Sequence, residues 1–439
     1  MRLSRPEIAP RPDSRSTLKA AQADRLRRWL ASIPGKNAFY SKKLASCGKW
    51  SAASDLDGLL DLLPFTTKLE LEEDQAKNPP FGTNLGEPHE AYSRIHQTSG
   101  STGVPLRWLD TPASWAWVLS VWDEVYRGAG VTAQDRVFFP FSFGPFLGFW
   151  AGFDAAARMG ALVVPGGGLS SAARLRIARD VGATVLAATP TYALHLAETA
   201  QAEGIDLPRS GIRAIIVAGE PGGSVASTKR RIETEWGARV FDHCGMTEVG
   251  PFGFECLEAP GGVHVVESEF IVEVLDLRSG QVRRASDGAE PLEGELVLTN
   301  LGRTDSPLVR YRTGDVVRWS TAPCPCGRPW GRLLGGILGR VDDMIFLRGN
   351  NLYPSAVEGV IRQFADVMEF RIHARKVGAM AELEIEIELR PGSDPDALSS
   401  QVAGTIERDL LFRARVRAVP SGALPRFELK GQRFFKEGF

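Results

Sequence analysis

Cysteine is scarce in this sequence, with five among 439 residues. A sparse, odd set at that length excludes a disulfide framework as the basis of the fold and points to a reducing compartment. A surplus of one charge is also missing. Lys and Arg number 52 against 53 Asp and Glu, a net charge of −1, which argues against a nucleic-acid-coating or anionic-membrane-binding protein. No apolar run approaches the ~18 residues of a membrane-spanning helix. The opening stretch MRLSRPEIAPRPDSR has no apolar segment of the signal-peptide kind. The expectation is a soluble, cytoplasmic protein. Glycine, by contrast, is abundant at 46 residues, which favours tight turns and close backbone approach to a ligand over a helical bundle. With 43% hydrophobic and 24% charged residues, the chain has ample material for a core, and its length suits two to four units of ~150 residues.

Positions 1–15 are rich in Pro, Arg and Ser and read as a flexible N-terminus. From Ser16 to Ile33 the apolar positions Leu18, Ala21, Leu26, Trp29 and Leu30 recur at helical spacing. Beyond Tyr92, apolar runs at 136–140, 184–188 and 214–218 alternate with helical patterns at 170–180 and 192–202. That alternation predicts a layered α/β domain with parallel strands. Runs at 269–277, 295–299 and 316–319 follow without long helices between them, suggesting an antiparallel or barrel-like segment. After Gly339 comes a tail of about a hundred residues, read as a small mobile α+β domain over 341–439. Its run Glu382–Leu389 alternates strictly, with Leu383, Ile385, Ile387 and Leu389 on one face and glutamates on the other. The predicted organisation is a large domain over 16–340 followed by that small one.

Several short segments carry chemistry. Thr98-Ser99-Gly100-Ser101-Thr102-Gly103 combines glycines, which let backbone N–H groups converge on phosphate oxygens, with hydroxyl donors. It lacks the Lys of the GxxxxGK[ST] loop, and alone it also reads as an ordinary solvated turn. Gly219-Glu220-Pro221 follows a buried run, as a ligand-facing turn at a strand's carboxyl end would. Asp242-His243-Cys244-Gly245-Met246-Thr247-Glu248 follows another. Tyr311-Arg312-Thr313-Gly314-Asp315, Gly339-Arg340-Val341-Asp342-Asp343 and Glu428-Leu429-Lys430 complete the series.

In that order these segments resemble the adenylate-forming ligases, the group of acyl-CoA synthetases, luciferases and nonribosomal adenylation domains. The chain looks most like the phenylacetate-CoA ligases and their aryl-CoA ligase relatives, on four features. These are Leu63-Pro64-Phe65-Thr66-Thr67-Lys68, Glu255-Cys256, the run Arg348-Gly349-Asn350-Asn351-Leu352-Tyr353-Pro354, and the ending Arg426-Phe427-Glu428-Leu429-Lys430-Gly431-Gln432-Arg433. The resemblance implies a two-step reaction. A carboxylic acid, aromatic by preference, reacts with ATP and Mg²⁺ to give acyl-AMP and pyrophosphate, and the acyl group then passes to coenzyme A. An amine or a carrier-protein thiol is the alternative acceptor, and a catalytically silent binder of nucleotide or acyl ligand is a further reading.

Residue by residue, the resemblance assigns Ser99, Gly100, Ser101, Thr102 and Gly103 to the ATP phosphates and Gly219, Glu220 and Pro221 to a turn along adenine, with Asp242 among the nucleotide-binding residues. Thr247 would bond the α-phosphate and Glu248 would ligate Mg²⁺, a hard cation suited to carboxylate oxygen. Asp315 would accept both ribose hydroxyls, with Arg340 beside ribose and phosphate. Asp342 matches the hinge of the small domain, Gly349 the glycine beside the thiol tunnel, and Lys430 the lysine that bridges carboxylate and α-phosphate. Phe141, Phe143, Phe146, Gly245 and Met246 match the acyl pocket. Val104 stands where many relatives carry Lys, Cys244 where an aromatic is usual, and Leu429 where Gly is frequent.

Cys256, His264, Cys324 and Cys326 form a possible Cys₃His set for structural zinc, although their spacing is not that of a zinc finger and unrelated buried thiols are the other reading. Some relatives of the phenylacetate type carry cysteines at like positions. Arg413, Arg415 and Arg417 either bind coenzyme A phosphates or pair across the sheet with the glutamates at 382–388; the pairing is favoured. His96 and His373 read as packed histidines.

Overall fold

The computed structural model describes residues 14–45, 47, 50, 53–98, 105–285, 290–347, 350–377, 380–427 and 431–438. Among the described residues, twelve strands make one large sheet. Five of them, Leu162–Pro165, Arg136–Phe139, Val185–Ala188, Ala214–Val217 and Arg239–Met246, pair in parallel. Val185–Ala188 and Ala214–Val217 are buried throughout, on both faces, which explains why they read as continuous apolar runs. Ala214 and Ile216 enter one hydrophobic cluster and Ile215 and Val217 the other, as the two-residue period of a strand dictates.

Several helices start on legible signals. Thr111 before Pro112, Thr189 before Pro190 and Asp394 before Pro395 each cap a helix through the side chain, with proline in the first turn. Thr67 forms a capping box with Glu70 at the start of Lys68–Lys77. The first described helix, Arg15–Ser32, begins one residue ahead of the expected position. Its Arg15 lies 2.8 Å from Glu267 in an ion pair, so the ordered chain already includes the last residue assigned to the flexible N-terminus.

The antiparallel segment continues the same sheet through Gly250–Glu255, Gly262–Val265, Arg332–Arg340, Tyr311–Ser320, Leu292–Asn300, Phe270–Leu275 and Val282–Arg283. The small C-terminal α/β domain has its own four-stranded sheet, ordered Arg415–Val419, Met380–Leu389, Val367–Val377, Phe434–Glu437. Its separate apolar core includes Leu383, Ile385 and Ile387. Arg417 pairs with Glu384 at 3.1 Å and with Glu386, and Arg415 lies 3.8 Å from Glu382. The arginine ladder is thus largely a cross-strand partner of the glutamates, with Arg413 turned instead to Glu407 at 2.7 Å. Among the described residues no helix is long and apolar enough to cross a membrane.

Candidate active site

The fully buried strand Ala214–Val217 leads to Gly219, whose φ of 97° lies in the left-handed region that glycine adopts without steric penalty. The next residue, Glu220, turns back: its Oε1 accepts the Thr191 N–H at 2.8 Å, and its Oε2 accepts the Gly431 N–H at 2.8 Å. The neighbouring strand brings Asp242 to the last position of its parallel pairing, opposite Val217. Ser224 donates to Asp242 Oδ2 at 2.5 Å, yet burial pushes this carboxyl up to about 6. Gly336 passes so close that a β-carbon there would sit 2.9 Å from Asp242 Oδ2.

Thr247 and Glu248 occupy the turn between Arg239–Met246 and Gly250–Glu255. Both of their carbonyls accept from Arg303 Nη1, at 2.7 and 3.1 Å. Arg303 is itself fully buried and held by Asp110, with Nε donating to Oδ1 at 2.8 Å and Nη2 to Oδ2 at 2.5 Å. Burial alone would raise the Asp110 carboxyl, but the Arg303 guanidinium outweighs it and holds the group well below the usual carboxylate range. Glu248 differs. Its carboxyl is buried with the Tyr311 hydroxyl 3.5 Å away, and burial raises it against the opposing charges of Lys68, Arg340 and Arg303.

Strand pairing sets Asp315 directly opposite Arg340. Arg340 Nη1 donates to Asp315 Oδ1 and to the Thr313 carbonyl, both at 2.9 Å. Gly314, at φ +72°, leaves room for that arginine; a β-carbon would sit 2.7 Å from Nη2. Asp342 is exposed in the turn that follows, between Arg332–Arg340 and Ile345–Leu347, and its carbonyl accepts from Lys436 Nζ at 2.6 Å. The structure therefore gathers Glu220, Asp242, Thr247, Glu248, Asp315 and Arg340 around the ends of the central strands. Ser99–Gly103, Gly349 and Lys430 lie outside the described residues.

The expected acyl-pocket residues divide. Phe141 is buried and packs on Phe149 at 5.1 Å between ring centroids, and Phe143 packs on Trp150 at 4.5 Å. Phe146 is 41% exposed. Gly245 is exposed and Met246 half-buried beside the Thr247 turn. His243 lies beneath them with its Nδ1 2.7 Å from the Gly253 carbonyl and its ring 4.3 Å from that of Trp122; burial lowers it to about 4, which keeps the imidazole neutral at pH 7. His96 stacks on Trp115 and sits 3.8 Å from Asp110, a packed histidine as expected.

Away from this region, the ligand atoms of Cys256, His264, Cys324 and Cys326 all lie within 4.8 Å of one another. The Cys256 and Cys324 sulfurs are 3.7 Å apart, and Cys326 Sγ is 3.4 Å from His264 Nε2. A tetrahedral zinc with bonds of about 2.3 Å to sulfur and about 2.0 Å to nitrogen has edges of roughly 3.5–3.8 Å, which these two spacings match. The other nitrogen of His264, Nδ1, faces the Trp330 carbonyl at 3.1 Å, which directs the Nε2 lone pair toward the thiols.

Sequence reasoning missed Asp110 and Arg303. Neither stands in a recognisable motif, and 193 positions separate them.

Residues 37–299 match the family model described as AMP-binding enzyme, and residues 349–437 match that of the AMP-binding enzyme C-terminal domain. A phenylacetate-coenzyme A ligase of Pseudomonas putida is 32% identical over 381 residues, spanning 85% of this chain and 82% of that protein. Among solved structures, 2-hydroxyisobutyryl-CoA ligase in the postadenylation state with 2-HIB-AMP superposes with a TM-score of 0.89 at 28% identity, covering 98% of this chain and 91% of that one. The same ligase with 2-HIB-AMP and CoA in the thioesterification state gives 0.71 at 28% identity, covering 97% and 91%. The overall arrangement here is nearer the former.

Proposed function

This chain belongs to the family of AMP-binding enzymes, and from that premise we propose an AMP-forming acid–coenzyme A ligase acting on an aromatic carboxylic acid. In the first step a carboxylate oxygen attacks the α-phosphorus of ATP, and the bond to pyrophosphate breaks. In the second, the thiol of coenzyme A attacks the acyl carbon, the thioester forms, and AMP leaves with the electron pair of the broken C–O bond.

The observation that carries this reading is the grouping of Glu248, Tyr311, Arg340 and Asp315 around the Thr247 turn. Attack of an anion on an anionic phosphate needs alignment and positive charge more than a general base. Asp315 offers carboxylate oxygen to ribose hydroxyls while Arg340 holds it in place and lends charge to the phosphate side. Thr247 presents its hydroxyl to the α-phosphate from a turn that Arg303 fixes by two carbonyls. Glu248 would hold Mg²⁺: a buried carboxylate whose burial raises its affinity for a proton is relieved by a hard divalent cation. Bound Mg²⁺ supplies positive charge to the ATP phosphates. Lys430 enters for the first step and withdraws for the second as the small domain turns about Asp342. Phe141 and Phe143 wall the acyl site, and their rings suit an aromatic acid.

The test is AMP release dependent on both an aryl acid and free coenzyme A. Release that requires an amine or a loaded carrier protein instead would replace the acceptor, and no acid-dependent release would sink the reading.

Gly314→Ala probes the ribose side. The added methyl clashes with Arg340 and sits at a positive φ, so KM for ATP should rise by about tenfold, equivalent to ~1.4 kcal/mol. Steady-state kinetics against ATP checks this, and an unchanged KM would contradict the assigned roles of Asp315 and Arg340.

Cys256, His264, Cys324 and Cys326 would hold a structural zinc that ties the hairpin at 250–265 to the turn at 324–327. With four protein ligands the ion has no open position for catalysis. Elemental analysis should find one zinc per chain, and Cys324→Ala should lose both the metal and several degrees of melting temperature. A metal-free wild type of equal stability would contradict this.

A further inference from the structure

We propose that Glu220, Thr191 and Arg433 form a clasp that holds the segment after Lys430 against the large domain for the first half-reaction and opens before the second. The proposal rests on the ligase reading and adds to it three positioning residues.

Thr191 lies in the first turn of helix Pro190–Ala202, where a main-chain N–H has no partner within the helix. Glu220 Oε1 takes that N–H at 2.8 Å. The carboxylate is thereby fixed at the helix's positive end, and its other oxygen is turned toward the small domain, where it accepts the Gly431 N–H at 2.8 Å. Gly431 directly follows Lys430 in the chain. The same threonine receives a second arm: its Oγ1 accepts from Arg433 Nη1 at 2.8 Å. Arg433 is aimed by Glu369, which takes its Nε at 2.5 Å and its Nη2 at 2.8 Å, and by the rings of Phe370 and Phe427 at 5.3 and 5.2 Å. A β-carbon at Gly431 would fall 2.0 Å from Arg433 Nη1, so the two arms close only around a glycine. Gly431 is thus tied to Glu220 and Arg433 to Thr191, two large-domain residues that are bonded to each other, so the chain is held directly after Lys430.

Other contacts across the joint suit one that opens. Ser227 donates to the Gly359 carbonyl at 2.7 Å, Arg231 to the Val367 carbonyl at 2.8 Å, and Arg390 to Gln201 at 2.9 Å. Hydrogen bonds of this kind can be exchanged for water, whereas the small domain keeps its apolar core to itself.

The experiment measures each half-reaction separately in Thr191→Val and Arg433→Lys. Acid-dependent ATP–pyrophosphate exchange reads the first; thioester formation from supplied acyl-AMP and coenzyme A reads the second. The expected result is a fall of about tenfold or more in exchange kcat, KM for ATP within about threefold of wild type, and an undiminished second half-reaction. Small-angle scattering should show a larger radius of gyration in the variants, since a lost clasp shifts the population toward open forms. Equal loss of both half-reactions, a change confined to KM for ATP, or no change in exchange would each overturn the clasp. A wild type without exchange for any acid would refute the ligase reading instead. Scattering then decides the clasp alone, and unchanged domain separation in both variants would overturn it.

Discussion

Replacing Arg303 by methionine is expected to destabilise the fold by about 3–5 kcal/mol, because the substitution leaves Asp110 as an unpaired charge in the interior. Both side chains are fully buried, so water cannot screen the loss. The pH dependence has a definite sign. The folded Asp110 carboxyl is held below its ordinary value by Arg303 despite burial, so its contribution is present above the unfolded value near ~3.9 and is lost as pH falls through the lower folded value. The gap between wild type and Arg303→Met should therefore be wide at neutral pH and narrow in acid below about pH 4, where the stranded carboxyl is protonated. Chemical denaturation across pH measures it. The double variant Asp110→Leu/Arg303→Met removes both charges and should recover at least half of the lost stability. Activity should not recover with it, since the Thr247 and Glu248 carbonyls lose their shared donor in both variants. Costs that simply add in the double variant would contradict the pairing, and a fully active double variant would contradict the role of Arg303 in fixing the turn.

Glu248→Gln is expected to separate function from stability. Pyrophosphate exchange should fall by roughly 10²–10³-fold, the size of effect seen when one group stabilising transition-state charge is removed. Stability at neutral pH should be unchanged or higher. Burial raises the Glu248 carboxyl, so the folded state binds its proton more tightly, and stability falls as pH rises from the unfolded value near ~4.3 through the folded one. Glutamine keeps the shape without that cost. Exchange kinetics and thermal melts at pH 7.5 decide: a destabilised variant would contradict the electrostatic argument, and full activity would contradict the metal-ligand role.

The legible part of this protein is what is local in sequence. Thr189-Pro190 and Asp394-Pro395 announce helix starts because cap and first turn are adjacent residues. Ala214–Val217 shows as a buried strand because both its faces are covered. Asp315 and Arg340 stand in recognisable motifs, although only strand register shows that they face each other. Cys256, His264, Cys324 and Cys326 are visible as residue types, whereas their convergence depends on a hairpin and a turn meeting. What escaped is long-range. Asp110 and Arg303 stand in no motif, and only folding buries them together. Thr191 and Arg433, 242 positions apart, meet only because the small domain docks on helix Pro190–Ala202. Phe146 belonged to an aromatic run that lies in the irregular stretch between Arg136–Phe139 and Gly148–Met159, where Phe141 enters the core and Phe146 stays exposed.

The decisive measurement is carboxylate-dependent ATP–pyrophosphate exchange over a panel of aryl and short aliphatic acids, with Lys430→Ala beside wild type. Exchange that depends on an aryl acid and collapses in the variant is the expected result. Exchange undiminished in Lys430→Ala would show that another group serves the first step, and no exchange with any acid despite measurable ATP binding would contradict acid activation itself.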